Sequence, residues 1–481
     1  MKLSLLICAI LLASVCYAEE APTDITAHPE VQGALAITDA WVDAIRDYRD
    51  VPGISVGLVL DQELIFAKGY GYSNLRRRVP ADADTIYSIC SISKLFTSIG
   101  VMQMRDAGKL TLRDPVADHL EWFTIKQDHN SAGPTRIQGL LTHSSGLPRE
   151  SDFPYWSDKD HPFPTRTQMI EQLNNQQTLY PADALFQYSN LGLSLAGEIV
   201  RSHAGVSYEE YVQAEILSPL GMTDTRPFFP DELHGKQMAV GYAGMQRDLK
   251  RKPLKPFHTQ AIAPAAGFTS SVNDLAKFAS WNFRTLSGES NDGVLDSNTL
   301  REMHRVHWVD PSWETTWGLG FAVRQAEGET VVGHSGGCPG YITNLSMIPK
   351  HKVAVIVLTN AADGPAGPVT VAISKTVGGA LKKATTPPAE AAKLDLGKYE
   401  GSYSSGVWGG ETLIRAWGDQ LASVNVPSDE MTVVKAKHVE DDVFVRLTDD
   451  GEERERWYFQ TDDAGQVTGL KIHGSISSRL D

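Results

Sequence analysis

Ser91-Ile92-Ser93-Lys94 opens a stretch, residues 92–107, whose apolar spacing predicts a helix ending near Gly108. At the start of such a helix Ser91 and Lys94 stand at i and i+3 and share a face. A serine hydroxyl is a weak nucleophile that needs an adjacent base, and lysine can serve where burial and neighbours lower its pKa. The helix start adds free backbone N–H groups and the positive end of the helix dipole, both suited to a developing oxyanion. Ser-x-x-Lys alone also describes an ordinary polar helix start.

Two other segments complete a constellation. Tyr188-Ser189-Asn190 follows, and His334-Ser335-Gly336 closes a predicted strand. Together the three segments fit one acyl-transfer site. Tyr188 can shuttle a proton, Asn190 can grip a substrate amide, and the strand can dock an extended substrate edge. The backbone N–H groups of Ser91 and Gly337 are candidates for an oxyanion hole.

These residues resemble the serine β-lactamase and penicillin-binding protein superfamily, in its class C-like branch, where Tyr-x-Asn is the second element. Further stretches are similar to the same branch: Gly108-Lys109-Leu110-Thr111-Leu112-Arg113-Asp114-Pro115-Val116, Leu140-Leu141-Thr142-His143-Ser144-Ser145-Gly146-Leu147, Pro264-Ala265-Ala266-Gly267-Phe268, and Trp317-Gly318-Leu319-Gly320. The resemblance covers about residues 35–380. It implies an α/β (α+β) sandwich: a mainly antiparallel sheet flanked by helices, plus an all-helical lobe, with the site between them. It further implies that Ser91 is the nucleophile, Lys94 its base partner and Tyr188 the second general acid/base. Asn190 would orient the substrate amide, with Ser335, Gly336 and Gly337 binding substrate. His334 takes the first position of the third motif, where class C β-lactamases carry lysine. A lysine is a permanent cation for a substrate carboxylate, whereas histidine is only partly charged near neutral pH. The expected activity is therefore a secreted serine hydrolase cleaving an ester or amide through an acyl-enzyme, of the D-amino-acid peptidase or carboxylesterase type. A class C-like β-lactamase is the alternative. A catalytically silent penicillin-binding or sensor protein is the alternative from another class, and the presence of all the catalytic side chains weighs against it.

Around this constellation the chain divides. Ala36, Ile37, Ala40, Trp41, Ala44, Ile45 and Tyr48 form an apolar stripe at helical spacing, after a polar, loose stretch at 19–33. Strands are expected at 54–60 and 63–69 around an Asp61-Gln62 turn, and again at 319–325, 329–333, 341–348 and 353–359. Residues 110–315 read as helices and loops, and 369–382 as a helix. The hydrolase-like domain is set at 34–382, a linker at 383–393, and a small all-β domain at 394–481. The latter opens with Leu396-Gly397-Lys398-Tyr399-Glu400-Gly401-Ser402-Tyr403, which resembles a lipocalin-like β domain.

The 481 residues carry 59 acidic and 44 basic side chains, a formal charge of −15. This balance argues against nucleic acid or an anionic membrane surface as main partner, and leaves a small-molecule or peptide substrate. Lys2 with the short apolar run from residue 3 to 15 reads as a signal peptide over 1–18, implying a periplasmic or secreted protein without a stable membrane anchor. Of four cysteines, Cys90 and Cys338 lie outside that segment; they are either two small buried side chains or a bridged pair. No cofactor is expected and no metal site. His304 and His307 read as surface residues, lacking a third ligand. Gly333-His334-Ser335-Gly336-Gly337 also matches a nucleophile elbow, but Pro339-Gly340 and a further strand follow where a helix is required. His143 is expected to be structural, Arg76-Arg77-Arg78 a solvated turn, and Trp313 and Trp317 either cleft wall or core. Asn344-Leu345-Ser346 is a glycosylation sequon, relevant only in a eukaryotic secretory route.

Overall fold

A computed structural model describes residues 25–129, 133–326, 328–384, 394–428, 430–448 and 452–480. The expected signal peptide and residues 385–393 of the expected linker lie outside them. The strands in chain order are β1 Gly53–Leu60, β2 Glu63–Asn74, β3 Val79–Pro80, β4 Tyr87–Ser88, β5 Thr269–Ser270, β6 Trp308–Val309, β7 Thr316–Trp317, β8 Ala322–Ala326, β9 Glu329–Cys338, β10 Tyr341–Ile348 and β11 Val353–Thr359. The helices are α1 Pro29–Tyr48, α2 Ser93–Asp106, α3 Ile137–Thr142, α4 Arg166–Leu173, α5 Asn190–Ala204, α6 Tyr208–Val212, α7 Ala263–Ala266, α8 Val272–Ser287, α9 Ser297–Met303 and α10 Ala366–Lys383.

Among the described residues one nine-stranded sheet runs β3-β2-β1-β11-β10-β9-β8-β7-β6, antiparallel throughout. Its centre is made by strands from opposite ends of the domain: Ile54 of β1 pairs with Thr359 of β11. β1 and β11 are buried on both faces, which explains their unbroken runs of Val, Ile and Leu. One face packs on α1 and α10 through Trp41, Ile45, Val369 and Ile373. The other packs on α8 and the helical lobe, where Phe96, Phe268 and Phe278 cluster. The layered α/β sandwich with a helical lobe is thus the fold of residues 25–384.

Several boundaries depart from the sequence expectation. The stretch ahead of the apolar stripe is not loose as far as residue 33: α1 begins at Pro29, a residue suited to a helix start, with His28 as N-cap accepting the Glu30 N–H. α10 runs through Lys383, so helix covers the first residue assigned to the linker. β9 is longer than predicted, reaching Cys338, because its Gly-rich end still pairs with β10.

The C-terminal residues form an eight-stranded antiparallel meander from Gly401–Ser404 to Ser475–Ser478. Its first and last strands meet at a Tyr403–Arg479 bridge, with the Leu480 N–H donating to the Ser402 carbonyl at 2.8 Å, so the sheet closes into a nearly complete barrel. Tyr399, Tyr403, Phe444, Trp457 and Phe459 fill its interior. The barrel rests on α1. Gly33 is where the approach is tightest, since a Cβ there would lie 2.6 Å from the Trp417 ring. Lys435 ties the contact by pairing with Glu30 at 2.9 Å and standing 4.0 Å from the Trp417 ring centre. No described helix is long and apolar enough to cross a membrane.

Candidate active site

Ser91 sits in a single 3-10 turn, Cys90–Ile92, that leads into α2. The turn is anchored from three sides. Ser93 Oγ donates to the Cys90 carbonyl at 2.5 Å and accepts the Phe268 N–H at 3.0 Å. Thr343 Oγ1 of β10 donates to the Ile89 carbonyl at 3.1 Å. Cys90 and Cys338 are bridged, with 5.8 Å between their Cα atoms, so the residue before Ser91 is covalently joined to the end of β9. Gly336 is required at this junction, because a Cβ there would collide with the Ile89 carbonyl and Thr343 Oγ1.

Lys94 is fully buried one helical turn along. Its Nζ lies 2.8 Å from Asn190 Oδ1, 2.7 Å from the Ala265 carbonyl and 3.1 Å from Ser91 Oγ. Burial holds the amine well below the ordinary lysine value; Glu150 opposes this shift and Arg149 adds to it. A neutral amine has two N–H donors and one lone pair. Asn190 Oδ1 and the Ala265 carbonyl can only accept, so they take both N–H groups. The lone pair is left for the Ser91 hydroxyl.

The Tyr188 phenol lies beside the Ser91 side chain, near enough for Ser91 to pull its pKa down. Burial raises its phenol above the ordinary value and Glu150 adds to this, while Ser91 and the Arg149 charge pull the other way, so the phenol keeps its proton at neutral pH. Its ring centre lies 4.8 Å from Lys94 Nζ and 4.9 Å from the Arg149 guanidinium carbon. The three side chains can therefore form one directed chain, Tyr188 O–H to Ser91 Oγ and Ser91 O–H to Lys94 Nζ.

Asn190 is the first residue of α5, behind the N-cap Ser189. Both ends of its amide are engaged: Oδ1 accepts from Lys94, and Nδ2 donates to Glu150 Oε1 at 2.8 Å. Glu150 also accepts from the Tyr155 hydroxyl and lies 3.3 Å from Arg149 Nε. Asn190 thus orients Lys94 directly, a contact the sequence did not indicate. Arg149 and Glu150 were missed altogether, although only Pro148 separates them from the Leu140–Leu147 block; Ala265 lay in a motif without a role.

His334 is buried, with its ring centre 6.2 Å from that of Tyr188 and 5.4 Å from that of Trp317. Burial first, and then the neighbouring Lys94, hold its pKa down to about 3; the bond to the Ser335 carbonyl works weakly against them. Nδ1 lies 2.5 Å from that carbonyl and must donate to it, which leaves Nε2 as a bare acceptor without a partner among the described residues. The histidine is neutral and does not hydrogen-bond Ser91, Lys94 or Tyr188. Ser335 and Gly337 are exposed on the same strand segment and Gly336 is buried. On its other side β9 pairs with β8 only as far as Gly333, so residues beyond it have no strand partner on that side.

The remaining singled-out residues find plain places. His143, in left-handed conformation after α3, accepts the Ser189 N–H at Nδ1 (3.1 Å) and stacks 4.2 Å from the Tyr188 ring. Burial lowers its pKa well below the usual value, with smaller contributions from Lys94, His334 and Arg149. Trp317 packs on His143, Phe186, Tyr188 and His334 and so walls the site, whereas Trp313 is exposed. His304 is not a surface residue: both ring nitrogens are buried, its ring lies 4.6 Å from that of Phe321, and burial drives its pKa to about 3. Asn344 is buried in mid-strand, which removes it as a glycosylation acceptor. β10 follows β9, so the nucleophile elbow has no helix. Among the described residues no group of three or more His, Cys, Asp or Glu side chains could hold a metal ion.

A serine-led helix start wedged between an antiparallel sheet and a helical lobe defines the serine hydrolase superfamily of β-lactamases and penicillin-binding proteins. Residues 38–374 match the family model described as Beta-lactamase, and the chain belongs to that family. Among curated relatives, Beta-lactamase-like protein 2 of Dictyostelium discoideum is 27% identical over 337 residues, 68% of this chain and 59% of that protein. Penicillin-binding protein 4 of Amycolatopsis lactamdurans is 25% identical over 371 residues, covering 75% of this chain and 95% of its own. The chain thus spans about three fifths of the Dictyostelium relative. Among solved structures, the octameric penicillin-binding protein homologue from Pyrococcus abyssi matches at 27% identity and TM-score 0.63, over 92% of this chain and 99% of that one. The D-amino acid amidase of Ochrobactrum anthropi SV3 matches at 23% identity and TM-score 0.58, over 72% of this chain and 99% of that one, a likeness of fold.

Proposed function

We propose that the protein cleaves an ester or amide by way of an acyl-enzyme on Ser91, as a D-amino-acid peptidase or carboxylesterase. The observation that carries this is the placement of Lys94: a fully buried amine, held by burial well below the ordinary lysine value and bonded to Asn190 Oδ1 and the Ala265 carbonyl, faces the Ser91 hydroxyl at 3.1 Å, where its neutral form has a lone pair to offer. Lys94 takes the Ser91 proton as Oγ attacks the carbonyl carbon. The backbone N–H groups of Ser91 and Gly337 receive the oxyanion. Tyr188, still protonated, donates to the departing group as the carbonyl–leaving-group bond breaks, and Lys94 can return the Ser91 proton to Tyr188. Water then attacks the acyl-enzyme ester and its proton passes to the same pair, which returns it to Ser91 Oγ as the acyl–Oγ bond breaks and the acid is released. No cofactor takes part.

The neutral His334 supports this over a β-lactamase, because the position that holds a cationic lysine in class C enzymes carries no charge here. The Cys90–Cys338 bridge and the leader-like residues 1–18 support an exported protein, since structural disulfides persist in oxidising compartments. The units are a hydrolase domain that begins with α1 and ends with α10, and a β domain from residue 394 onward. Activity on a neutral activated ester that disappears in Ser91→Ala, while folding is retained, tests the assignment; ester turnover unchanged in that variant refutes it. Mature protein beginning at Glu19 tests export.

A further inference from the structure

The sheet carries a second cavity, on the face turned away from the helical lobe. Arg324 of β8 pairs with Val331 of β9, Gly333 of β9 with Ser346 of β10, and Ile348 of β10 with Val353 of β11. Side chains alternate along a strand, so these residues share the face that packs on α10, opposite to His334. Helix α10 packs over β10 and β11 and leaves a groove beside β8 and β9. The groove holds a cavity of about 480 Å³, within the range of small-molecule sites, and Leu60, Val331, Ile348 and Val353 make its apolar floor. Gly378 and Gly379 of α10 keep it open. A Cβ on either would meet no described atom beyond the helix itself within 4 Å, so packing does not demand glycine there, and glycine is a poor residue inside a helix.

One end of the groove is polar. There Arg324 and Ser346 also line a smaller adjoining cavity of about 110 Å³ that reaches Asn344. Asn344 is only 8% exposed, and its Oδ1 is buried without a hydrogen-bond partner among the described residues. Buried polar atoms are ordinarily bonded, so this end calls for a polar group. Arg324 makes no hydrogen bond or ion pair among the described residues. The carboxylate at the rim, Glu329, is already engaged by Lys350 at 3.2 Å and His351 at 2.9 Å. The unspent charge of the groove is therefore cationic, in a protein whose net charge is −15. We propose that the groove binds a long-chain carboxylate, with its alkyl chain on the apolar floor and its head group on Arg324 and Ser346. A guanidinium takes a carboxylate bidentately, and a serine hydroxyl donates beside it. The inference stands apart from the acyl-transfer reading, because it uses none of the residues around Ser91.

The test is isothermal titration of the full chain with sodium dodecanoate below its micelle-forming concentration. Dodecyltrimethylammonium offers the same chain under a cationic head. The wild type should bind one dodecanoate and prefer it to the ammonium by about tenfold or more, the scale of one charge-assisted hydrogen bond. Gly378→Leu plants a side chain in the groove and should weaken dodecanoate at least tenfold with the unfolding temperature held. Arg324→Gln should weaken dodecanoate by a similar factor, erase the preference and leave the ammonium unaffected. Arg324 is exposed, so that variant decides the matter should Gly378→Leu fail to fold. No binding by the wild type overturns the proposal and leaves the groove to a second copy of the chain or to the residues ahead of Ile25, which also lines it. Binding that both variants retain places the ligand elsewhere and overturns it too, as does a wild type that takes the two head groups equally.

Discussion

Replacing Glu150 with glutamine tests the electrostatics of the site while preserving its shape. Glutamine can still accept from Asn190 Nδ2 and still meet the Tyr155 hydroxyl, so only the charge is removed. Glu150 acts on Lys94 across the Asn190 amide, with 2.8 Å contacts on either side. The two charges are therefore roughly 7–8 Å apart, and at an effective dielectric near 20 their interaction is about 2 kcal/mol. Arg149 offsets part of the Glu150 charge, which brings the effect on Lys94 to about one pKa unit. The sign follows directly. The carboxylate favours the protonated amine and raises the Lys94 pKa, so its loss lowers that pKa further. Catalysis needs the neutral amine. The acidic limb of kcat/KM should therefore move to lower pH by about one unit in Glu150→Gln, with a plateau reduced severalfold because the base is weaker. The assay is a pH–rate profile on a neutral activated ester, with thermal unfolding as the control for folding. An acidic limb that stays in place or moves to higher pH refutes Lys94 as the group that must be deprotonated.

Other outcomes follow from the same geometry. Ser91→Ala should abolish ester turnover with an unchanged unfolding temperature, and residual turnover above a thousandth of wild type would contradict it. Replacing both Cys90 and Cys338 with alanine removes a cross-link of sequence separation 248, worth about 5 kcal/mol at most by chain entropy. Calorimetry should show a lower Tm and activity should fall, since the bridge adjoins Ser91; an unshifted Tm would contradict this. Gly336→Ala should cost at least tenfold in kcat/KM, because the new methyl must push β9 away from the Ile89 carbonyl. Wild-type rates there would show that the junction between β9 and the Ser91 turn is loose.

What the sequence made legible was what depends on local order. Ser91 and Lys94 are three residues apart across the 3-10 turn that leads into α2, so their meeting needs no tertiary knowledge. The strands 341–348 and 353–359 are fully patterned by burial, and their limits were read correctly. The pairing of β1 with β11 could only be inferred through the resemblance, because no local signal joins residues 300 positions apart. The supports of Lys94 were hidden for the same reason: Ala265 contributes a backbone carbonyl, which carries no side-chain signature. Glu150 works through Asn190, whose contacts to Lys94 and Glu150 inside the protein are not disclosed by the Tyr-x-Asn spacing. His334 was legible as a departure from the lysine pattern, but its neutrality comes from burial beside Trp317 and Lys94, which only the folded chain provides. The start of α1 was placed too late because the stretch ahead of the apolar stripe reads as loose, whereas Pro29 suits the first helical turn and His28 caps it.

The central claim is a covalent acyl bond at Ser91, and intact-mass analysis of acid-quenched reactions with a 4-nitrophenyl ester tests it most directly. The account predicts a transient increase of one acyl group, mapped by peptide digestion to Ser91 and absent in Ser91→Ala. Nitrophenol released by the wild type with the adduct on another residue, or the same adduct in Ser91→Ala, would contradict it.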